Sequence, residues 1–505
     1  MMRALVDHRV AVELLTEGSH AGELREWIDL CRERDVPVYL YAATLPSVYT
    51  ALEETVGAER AALLFATLEG QFNWWSSLAA DCRGEQGLSP AASQLLRAFA
   101  RMGDDALLLT LDEQVQNAHE HALSPADFIA RLKARGQESE KIAFVDLGRQ
   151  LDQMRPGIED AVHRVMNATA FINGADVHRL EEELADFVGV EHALGCSSGT
   201  DALTIAMMAL DVRPGDEVIV PDFTYIATAE TVALLGAVPV FADVRADTYN
   251  IDAAHAESLI TDRTVGIVPV SLYGQPADME EINAVGQRHG LWVMEDAAQS
   301  FGATYRGKPS CSLTFGAGTS FFPAKPLGCY GDGGAIFTND GDFASRMRRI
   351  LNHGQRARYD HAVIGINGRL DTVQAAILRT KLERFPEEIE NRQAVAGWYS
   401  HALAGAVELP TVLAHNTSVW AQYTIRVEHR DQVREELASR GIPTSVHYPI
   451  PLHAQDALAP YVKPGIEVPV SRRVSAEVLS LPMHPFLKKR EVQRISDAVQ
   501  AAVGE

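Results

Sequence analysis

The sequence is poor in cysteine, with five in 505 residues, and these five are scattered along the chain. Their spacing matches neither a zinc site nor a disulfide framework, which excludes a small disulfide-stapled secreted fold. We therefore expect a reduced, cytoplasmic protein without a metal site. The cysteines are Cys31, Cys82, Cys196, Cys311 and Cys329.

Long hydrophobic runs are also absent. No apolar stretch approaches the roughly 20 residues that a membrane-spanning helix needs. The first residues, Met1 to Arg9, introduce an acid and bases too early for the apolar core of a signal peptide. We expect neither secretion nor a membrane partner.

Positive charge is scarce as well. The chain carries 45 Lys and Arg against 68 Asp and Glu, a formal net charge of -23. A surface with this average charge repels polyanions, so neither nucleic acid nor an anionic membrane is expected as the main partner.

The chain is too long for one ordinary domain, and its 47% hydrophobic content is enough to bury several cores. We therefore expect two or three domains. A polar stretch without apolar periodicity, residues 134–141, is typical of a linker. We predict a first domain over 1–135, a linker over 136–142, a large domain over 143–385 and a small domain over 386–505.

The first domain is predicted to be a small α/β unit. Strands are expected at Ala4–Val6, Val36–Tyr41 and Ala106–Leu111, with helices between them. This layout resembles the PIN domain of metal-dependent ribonucleases. Asp7 and Asp112 match two of that family's metal-binding acids, but the segment Pro90-Ala-Ala-Ser93 stands where the family has an acidic pair. The expected role is therefore docking or support without nuclease activity.

The large domain alternates short apolar runs with helical segments. Runs that are apolar almost throughout belong to a mainly parallel sheet covered on both faces. An amphipathic helix is predicted around residues 177–188. The predicted strands are 217–221, 238–244, 266–272 and 291–296.

A lone lysine, Lys325, lies between two apolar runs and precedes the glycine-rich segment Gly331-Asp-Gly-Gly-Ala335. A desolvated lysine has a lowered pKa and becomes a usable amine nucleophile. An isolated lysine among Gly and Pro is more often a solvated loop charge. The functional interpretation therefore depends on partners elsewhere in the sequence.

Suitable partners follow three other predicted elements. Gly199 and Thr200 open a helix, where backbone N–H groups bind anions, although this pattern alone also fits an ordinary helix cap. Asp296 ends a strand, and Tyr225 follows another. Pyridoxal phosphate needs a lysine, an anion site, an aromatic surface and a carboxylate that keeps its ring nitrogen protonated. We predict that Lys325 forms a Schiff base with this cofactor.

Five ordered motifs make residues 142 to 505 resemble the DegT/DnrJ/StrS sugar-nucleotide aminotransferases. That resemblance implies the fold type I of pyridoxal-phosphate enzymes: an α/β domain with a mainly parallel sheet flanked by helices, followed by a small α+β domain. The motifs are Ser198-Gly-Thr-Asp-Ala-Leu203, Pro221 to Thr228, Glu295-Asp-Ala-Ala-Gln-Ser300, Ser320-Phe-Phe-Pro-Ala-Lys325 with the glycine-rich segment, and Asn367-Gly-Arg-Leu-Asp-Thr-Val-Gln-Ala-Ala376.

The resemblance also implies roles. Lys325 and Asp296 are the catalytic pair, Lys325 as the proton shuttle and Asp296 on the pyridinium nitrogen. The remaining cofactor contacts fall to Gly199, Thr200 and Ser320 on the phosphate, Tyr225 and Gln299 on the ring, and Asn367 on the phosphate of a neighbouring subunit. A homodimer with shared active sites is thus implied.

The residues of several motifs resemble those of enzymes that aminate C3 of UDP-2-acetamido-2-deoxy-3-dehydro-glucuronate, a surface-polysaccharide precursor. The resemblance implies L-glutamate as the amino donor and 2-oxoglutarate as its product. Arg369, His447 and Tyr448 are the candidate substrate residues. The guanidinium of Arg369 can pair with a carboxylate of the sugar or of the donor. His447 and Tyr448 come just after a predicted strand of the small domain and could face the sugar. His353, Arg356 and Tyr359, in a segment expected to be a loop, are further candidates.

Two alternatives remain open at this point. The same cofactor residues would serve C4 amination of a dTDP- or UDP-4-keto hexose. From another class, the chain could be a PIN-type ribonuclease that uses its C-terminal part as a scaffold.

Overall fold

The computed structural model describes residues 142–504 completely, and the backbone of five short strands before them. The chain divides into two compact units, Met1–Glu140 and Lys141–Glu505. The predicted acids Asp7 and Asp112 and the helices of the first domain lie outside the described residues.

The first unit contains a parallel five-stranded sheet in the order β3-β2-β1-β4-β5. Strands at the three predicted places are confirmed, whereas β3 and β5 were not predicted. The strands are β1 (Arg3–Val6), β2 (Val38–Tyr41), β3 (Asn73–Trp75), β4 (Ala106–Leu109) and β5 (Ala122–Leu123).

The second unit is built on a seven-stranded sheet in the order β6-β14-β13-β10-β9-β7-β8. Only β14 runs antiparallel to its neighbours, which confirms the mainly parallel sheet. The strands are β6 (His192–Cys196), β7 (Glu217–Pro221), β8 (Val238–Ala242), β9 (Thr264–Ile267), β10 (Trp292–Asp296), β13 (Gly316–Ser320) and β14 (Gly334–Thr338).

Helices cover both faces of this sheet and continue into the C-terminal part, and the predicted helix around 177–188 is confirmed as α2. The helices are α1 (Leu147–Ala168), α2 (Ala175–Val188), α3 (Gly199–Ala209), α4 (Ala227–Leu234), α5 (Ala253–Ser258), α6 (Met279–His289), α7 (Gly341–Ile350), α8 (Thr372–Leu382), α9 (Phe385–Ala402), α10 (Arg430–Ser439), α11 (Pro469–Glu477) and α12 (Lys489–Gly504). None of the described helices has the length and apolarity to cross a bilayer.

Strands β13 and β14 were not predicted. In β13, Gly316-Ala-Gly-Thr-Ser320, small residues replace the usual β-branched and aromatic ones. In β14, Gly334-Ala-Ile-Phe-Thr338, the strand starts in the glycine-rich segment and continues with strand-forming residues. Helix α3 packs so closely on β13 that a Cβ added to Gly318 would lie 3.2 Å from the Cβ of Ala202. A Cβ on Gly334, the first residue of β14, would lie 2.5 Å from the carbonyl oxygen of Ser198. Close approach therefore excludes a side chain at Gly334 and leaves little room for one at Gly318.

The C-terminal part has its own core around a two-stranded antiparallel sheet. The sheet pairs β17 (Tyr423–Arg426) with β18 (Val478–Leu481), and α9, α10 and α12 pack around it. Ile142 is buried in this same core, and the carbonyl of Phe144 accepts a hydrogen bond from the Met483 N–H at 3.1 Å. The first described residues of the unit therefore pack with the last ones.

Three predictions about local structure were wrong in whole or in part. The strand predicted over 266–272 is confirmed as β9, but it ends at Ile267 and is followed by a short 3-10 helix at Leu272–Gly274. The strand expected just before His447 is only an isolated bridge between Ser445 and Ser480. The segment with His353, Arg356 and Tyr359 is not simply a loop, because β15 (Gln355–Ala357) and β16 (Asp360–His361) pair as a short hairpin.

One further pair of short antiparallel strands is formed by β11 (Thr304–Tyr305) and β12 (Lys308–Pro309).

Candidate active site

The candidate site lies at the edge of the sheet where β6, β7, β10 and β13 all end. These four strands are mutually parallel, so their carboxyl ends meet at one edge. Asp296 is the last residue of β10, and Ser320 is the last residue of β13. The predicted residues from distant motifs are brought together by this topology.

Asp296 is held by hydrogen bonds on both carboxylate oxygens. The Thr228 hydroxyl donates to Oδ2 at 2.8 Å, and the Ala298 N–H donates to Oδ1 at 3.1 Å. Burial raises the pKa of Asp296, while these two bonds and the charge of Lys325 act in the opposite direction. The carboxylate is thus fixed in position, desolvated and in need of a positive partner.

Lys325 lies in the segment between β13 and β14, close enough to Asp296 for their charges to interact. Desolvation lowers the pKa of the amine, and Asp296 only partly offsets this effect. Within residues 142–504, no hydrogen bond satisfies Lys325 Nζ. The amine is therefore made more nucleophilic and left available.

The start of α3 faces the end of β13. Ser198 caps the helix by accepting from the Asp201 N–H at 3.0 Å, so the N–H groups of Gly199 and Thr200 begin a helix with no internal acceptor. A Cβ added to Gly199 would lie 2.7 Å from the Cβ of Ser320. The three predicted phosphate residues therefore line one narrow cradle suited to an anion.

Gln299 connects two tyrosines beside this cradle. Its Oε1 accepts from the Tyr273 N–H at 2.8 Å, and its Nε2 donates to the Tyr448 hydroxyl at 3.1 Å. The ring of Tyr225 lies 6.0 Å from that of Tyr448 and is 57% exposed, so its face is open to a ligand. Tyr448 itself is desolvated, which raises its pKa.

His447 is partly buried, and desolvation followed by the nearby charge of Lys325 lowers its pKa to about 4. Its Nδ1 lies 2.9 Å from the Ser480 hydroxyl. The ring is therefore neutral at pH 7, and it belongs to the same neighbourhood as Lys325.

Asn367 and Arg369 are set apart from this group. Asn367 is exposed, and Arg369 donates from Nη1 to Asn352 Oδ1 at 2.7 Å while its buried Nε has no partner. In the described part of the chain, neither forms a hydrogen bond or ion pair with Lys325 or Asp296. Their segment nevertheless adjoins the cradle, because Ser197 N–H donates to the Gly368 carbonyl at 3.0 Å.

Residues 152–500 match the DegT/DnrJ/EryC1/StrS aminotransferase family. The chain belongs to this family. The described fold agrees with the match: a structure of DesV from S. venezuelae, solved in complex with a ketimine intermediate, superposes with a TM-score of 0.71 at 39% identity, covering 73% of this chain and 100% of that one.

Two curated relatives act on UDP-linked sugars according to their names. The UDP-2-acetamido-2-deoxy-3-oxo-D-glucuronate aminotransferase of Pseudomonas aeruginosa is 52% identical over 359 residues, which are 71% of this chain and 99% of the relative. The UDP-N-acetyl-3-dehydro-alpha-D-glucosamine 3-aminotransferase of Acidithiobacillus ferrooxidans is 42% identical over 360 residues, 71% of this chain and 97% of the relative.

Members of this aminotransferase family depend on pyridoxal phosphate, and the residues present fit that cofactor. An unsatisfied amine, an anchored carboxylate and an anion cradle converge at one strand edge. Each corresponds to one functional group of the cofactor: aldehyde, ring nitrogen and phosphate. The chain is therefore a pyridoxal-phosphate-dependent aminotransferase.

Sequence reasoning missed two residues of the site. Thr228 orients Asp296, and Tyr273 contacts both Gln299 and the backbone of His447. Thr228 is the last residue of the motif Pro221 to Thr228, and Tyr273 directly follows the strand predicted over 266–272. The available signal was that both follow predicted parallel strands, after which side chains reach the carboxyl edge of the sheet.

Proposed function

We propose that this aminotransferase moves the amino group of L-glutamate to C3 of UDP-2-acetamido-2-deoxy-3-oxo-glucuronate in the synthesis of a surface polysaccharide precursor. The observation that carries the choice of sugar is the 52% identity to a relative of that name, spread over 99% of its length. The second relative, which is named for a 3-dehydro sugar carried by UDP, supports C3 as the aminated carbon.

Pyridoxal phosphate, when bound, supplies an electron sink for the carbon from which a proton is removed. Asp296 keeps the ring nitrogen protonated, since a buried carboxylate anchored by Thr228 favours a positive partner. Lys325 Nζ then takes the proton from the α-carbon of glutamate and returns a proton to C3 of the sugar. Its lowered pKa supports this role, because a proton shuttle must be able to exist as the free amine.

The remaining cofactor contacts follow from the cradle. Gly199, Thr200 and Ser320 hold the phosphate, Tyr225 covers the ring and Gln299 donates to the ring hydroxyl. The close packing at Gly199 supports this assignment. A Cβ at position 199 would lie 2.7 Å from the Cβ of Ser320, so only glycine leaves room at the start of α3.

The sugar substrate is bound by three residues, Arg369, His447 and Tyr448. Arg369 has a buried Nε without a partner, so a carboxylate of the uronate or of glutamate would complete its hydrogen bonding. His447 is neutral at pH 7 and contributes hydrogen bonding rather than charge.

A homodimer with shared sites is part of the proposal. Asn367 is exposed and would reach the phosphate held by a second copy of the chain. Apolar side chains nearby are exposed as well, Val363 at 47% and Ile364 at 85%, as expected for a surface covered by that copy.

We further propose that residues 1–135 form a PIN-like domain without nuclease activity, joined through 136–142 to the large domain 143–385 and the small domain 386–505, in a cytoplasmic protein. The parallel sheet in the order β3-β2-β1-β4-β5 supports an α/β domain of this kind. Alanines where the nucleases have acids argue against metal-dependent cleavage.

Mass spectrometry of competing reactions tests the substrate. Glutamate is supplied with equal amounts of the UDP-linked 3-keto uronate and a dTDP-4-keto hexose, and the products are identified. The proposal predicts an aminated UDP sugar and little aminated dTDP sugar, whereas preferential amination of the dTDP sugar would overturn it. Cleavage of RNA that requires a divalent metal and is lost on changing Asp7 would favour the ribonuclease alternative.

A further inference from the structure

We propose that Tyr273 is a positioning residue for transamination: it fixes Gln299 through its backbone and the His447–Tyr448 segment through its hydroxyl. The inference rests on the proposed function only in that His447 and Tyr448 face the sugar. Tyr273 itself follows β9 in the 3-10 helix Leu272–Gly274 and is 7% exposed.

Tyr273 joins three segments that the site needs. Its N–H donates to Gln299 Oε1 at 2.8 Å, beyond the end of β10. Its hydroxyl donates to the carbonyl oxygen of His447, a residue 174 positions later in the chain. Its ring packs edge-on against Tyr249 with centroids 5.7 Å apart, which leaves the side chain little freedom.

The backbone contact fixes the orientation of the Gln299 amide. A backbone N–H can only donate, so the atom facing Tyr273 must be the amide oxygen. The NH₂ group of Gln299 then points the other way and donates to the Tyr448 hydroxyl at 3.1 Å. Because that hydroxyl is accepting, its own proton is directed elsewhere and is available to a ligand.

The hydroxyl contact fixes the backbone on which His447 and Tyr448 are carried. On its other side the His447 ring is held by Ser480 at 2.9 Å, so the residue is anchored at both backbone and ring. Without the Tyr273 hydroxyl, a half-buried carbonyl loses its donor and the segment loses one of these anchors. Small displacements of groups that hold a substrate cost rate out of proportion to the stability lost.

The experiment compares Tyr273→Phe with the matched control Tyr399→Phe. Tyr399 is also buried, and its hydroxyl also donates to a backbone carbonyl, that of Pro482 at 2.9 Å, within the C-terminal core. Each substitution removes one buried hydroxyl from one carbonyl. The comparison therefore separates the general cost of a lost hydrogen bond from an effect on the reaction.

Tyr273→Phe is expected to raise the KM for the nucleotide sugar roughly fivefold or more, the loss typical of one hydrogen bond. The glutamate half-reaction, followed by cofactor absorbance without any sugar, should change less than about twofold. Tyr399→Phe should leave both half-reactions as in wild type. Wild-type-like sugar kinetics in Tyr273→Phe, or an equal change in both variants, would overturn the inference.

A background carrying His447→Ala and Tyr448→Phe sharpens the test. If Tyr273 acts through those residues, adding Tyr273→Phe to this background should change the sugar KM by less than about twofold, because coupled residues are not additive. An undiminished effect there would contradict the inference. Failure of the proposed sugar is recognised separately, since wild type itself would then give no product.

Discussion

Lys325 and Lys381 both have pKa values lowered by burial, and their surroundings differ in one respect. Lys381, on α8, donates from Nζ to the Gly328 carbonyl and lies 4.9 Å from the centroid of the Tyr330 ring, and its pKa falls to about 8. Lys325 has a lowered pKa too, but no described residue accepts a hydrogen bond from its amine.

A lowered pKa alone therefore does not mark a catalytic amine. Lys381 is 2% exposed, and its amine has a hydrogen-bond acceptor and an aromatic face as fixed partners. Its effect is to hold the backbone of Gly328, three residues after Lys325. Lys325 is thus left without a hydrogen-bond partner among the described residues, and Lys381 supports the segment that carries it.

The largest expected effect comes from removing the available amine. Lys325→Ala should lower kcat/KM by about 10⁴-fold or more, since both the covalent hold on the cofactor and the proton shuttle are lost. The thermal midpoint of the cofactor-free protein should hardly change. Absorbance beyond about 400 nm should disappear. Retained colour and activity would show that another amine performs this role.

The next largest effect is expected on replacing the carboxylate of Asp296, which lies close to Lys325. Asp296→Asn should lower kcat by about 10²-fold or more, the scale of losing one preorganised charge at a reacting centre. Glu295→Gln is the matched control, because Glu295 is buried on the opposite face and accepts from Ser271, Ser310 and the Cys311 N–H at 2.6 to 2.8 Å.

Glu295→Gln is expected to affect stability more than rate. A glutamine side chain has only one acceptor oxygen, and its NH₂ group cannot accept a hydrogen bond as the second carboxylate oxygen does. About 1–3 kcal/mol of unfolding free energy should therefore be lost. Urea unfolding and initial rates of both variants provide the check. A rate loss as large in Glu295→Gln as in Asp296→Asn would remove the distinction between the two faces.

A smaller effect on rate is expected when the enclosed lysine is replaced. Lys381→Met should lower the unfolding free energy by about 3 kcal/mol, because Gly328 loses its donor and the buried Glu388 loses a compensating charge. The variant should still bind pyridoxal phosphate and keep its colour. Loss of covalent cofactor from a folded Lys381→Met protein would contradict the assignment of the two roles.

The smallest expected effect is a pH dependence of stability. Burial lowers the pKa of Lys381 from 10.5 to about 8, so between these values the unfolded chain binds more protons than the folded chain. The unfolding free energy of wild type should therefore rise with pH across this window, by about 1–2 kcal/mol relative to that of Lys381→Met. At pH values below the window, the difference between the two proteins should not change with pH. Urea titrations at about pH 7 and about pH 10 would show it. Parallel curves for the two proteins would mean that this amine is not desolvated.

Much of the sheet could be predicted, because the Val- and Ile-rich strands are apolar almost throughout. The prediction for β7 matched its bounds, and that for β10 began one residue early. Strand β13 has little local preference for a strand, since its glycines serve the close packing of α3. Strand β14 was missed for another reason, because its apolar residues were not separated from the glycine-rich segment before them.

The site shows the same division. Asp296 ends a strand that was predicted, so its place at the carboxyl edge of the sheet followed from the sequence pattern. Ser320 ends β13, which was not predicted, and its part in the site was implied only by the family resemblance. The hydrogen bonds of Thr228 to Asp296 and of Tyr273 to His447 span 68 and 174 residues, and no local pattern encodes which polar group meets which. The free state of Lys325 and the enclosed state of Lys381 likewise depend on tertiary contacts alone.

Reduction of the cofactor-loaded wild-type protein with borohydride, followed by peptide mass spectrometry, identifies the lysine that binds the cofactor. Reduction makes the bond between lysine and cofactor permanent, so the modified residue can be read from the peptide masses. We predict the label on Lys325 alone, with Lys381 unmodified. A label on Lys381 or on any other lysine, with Lys325 unmodified, would contradict the account.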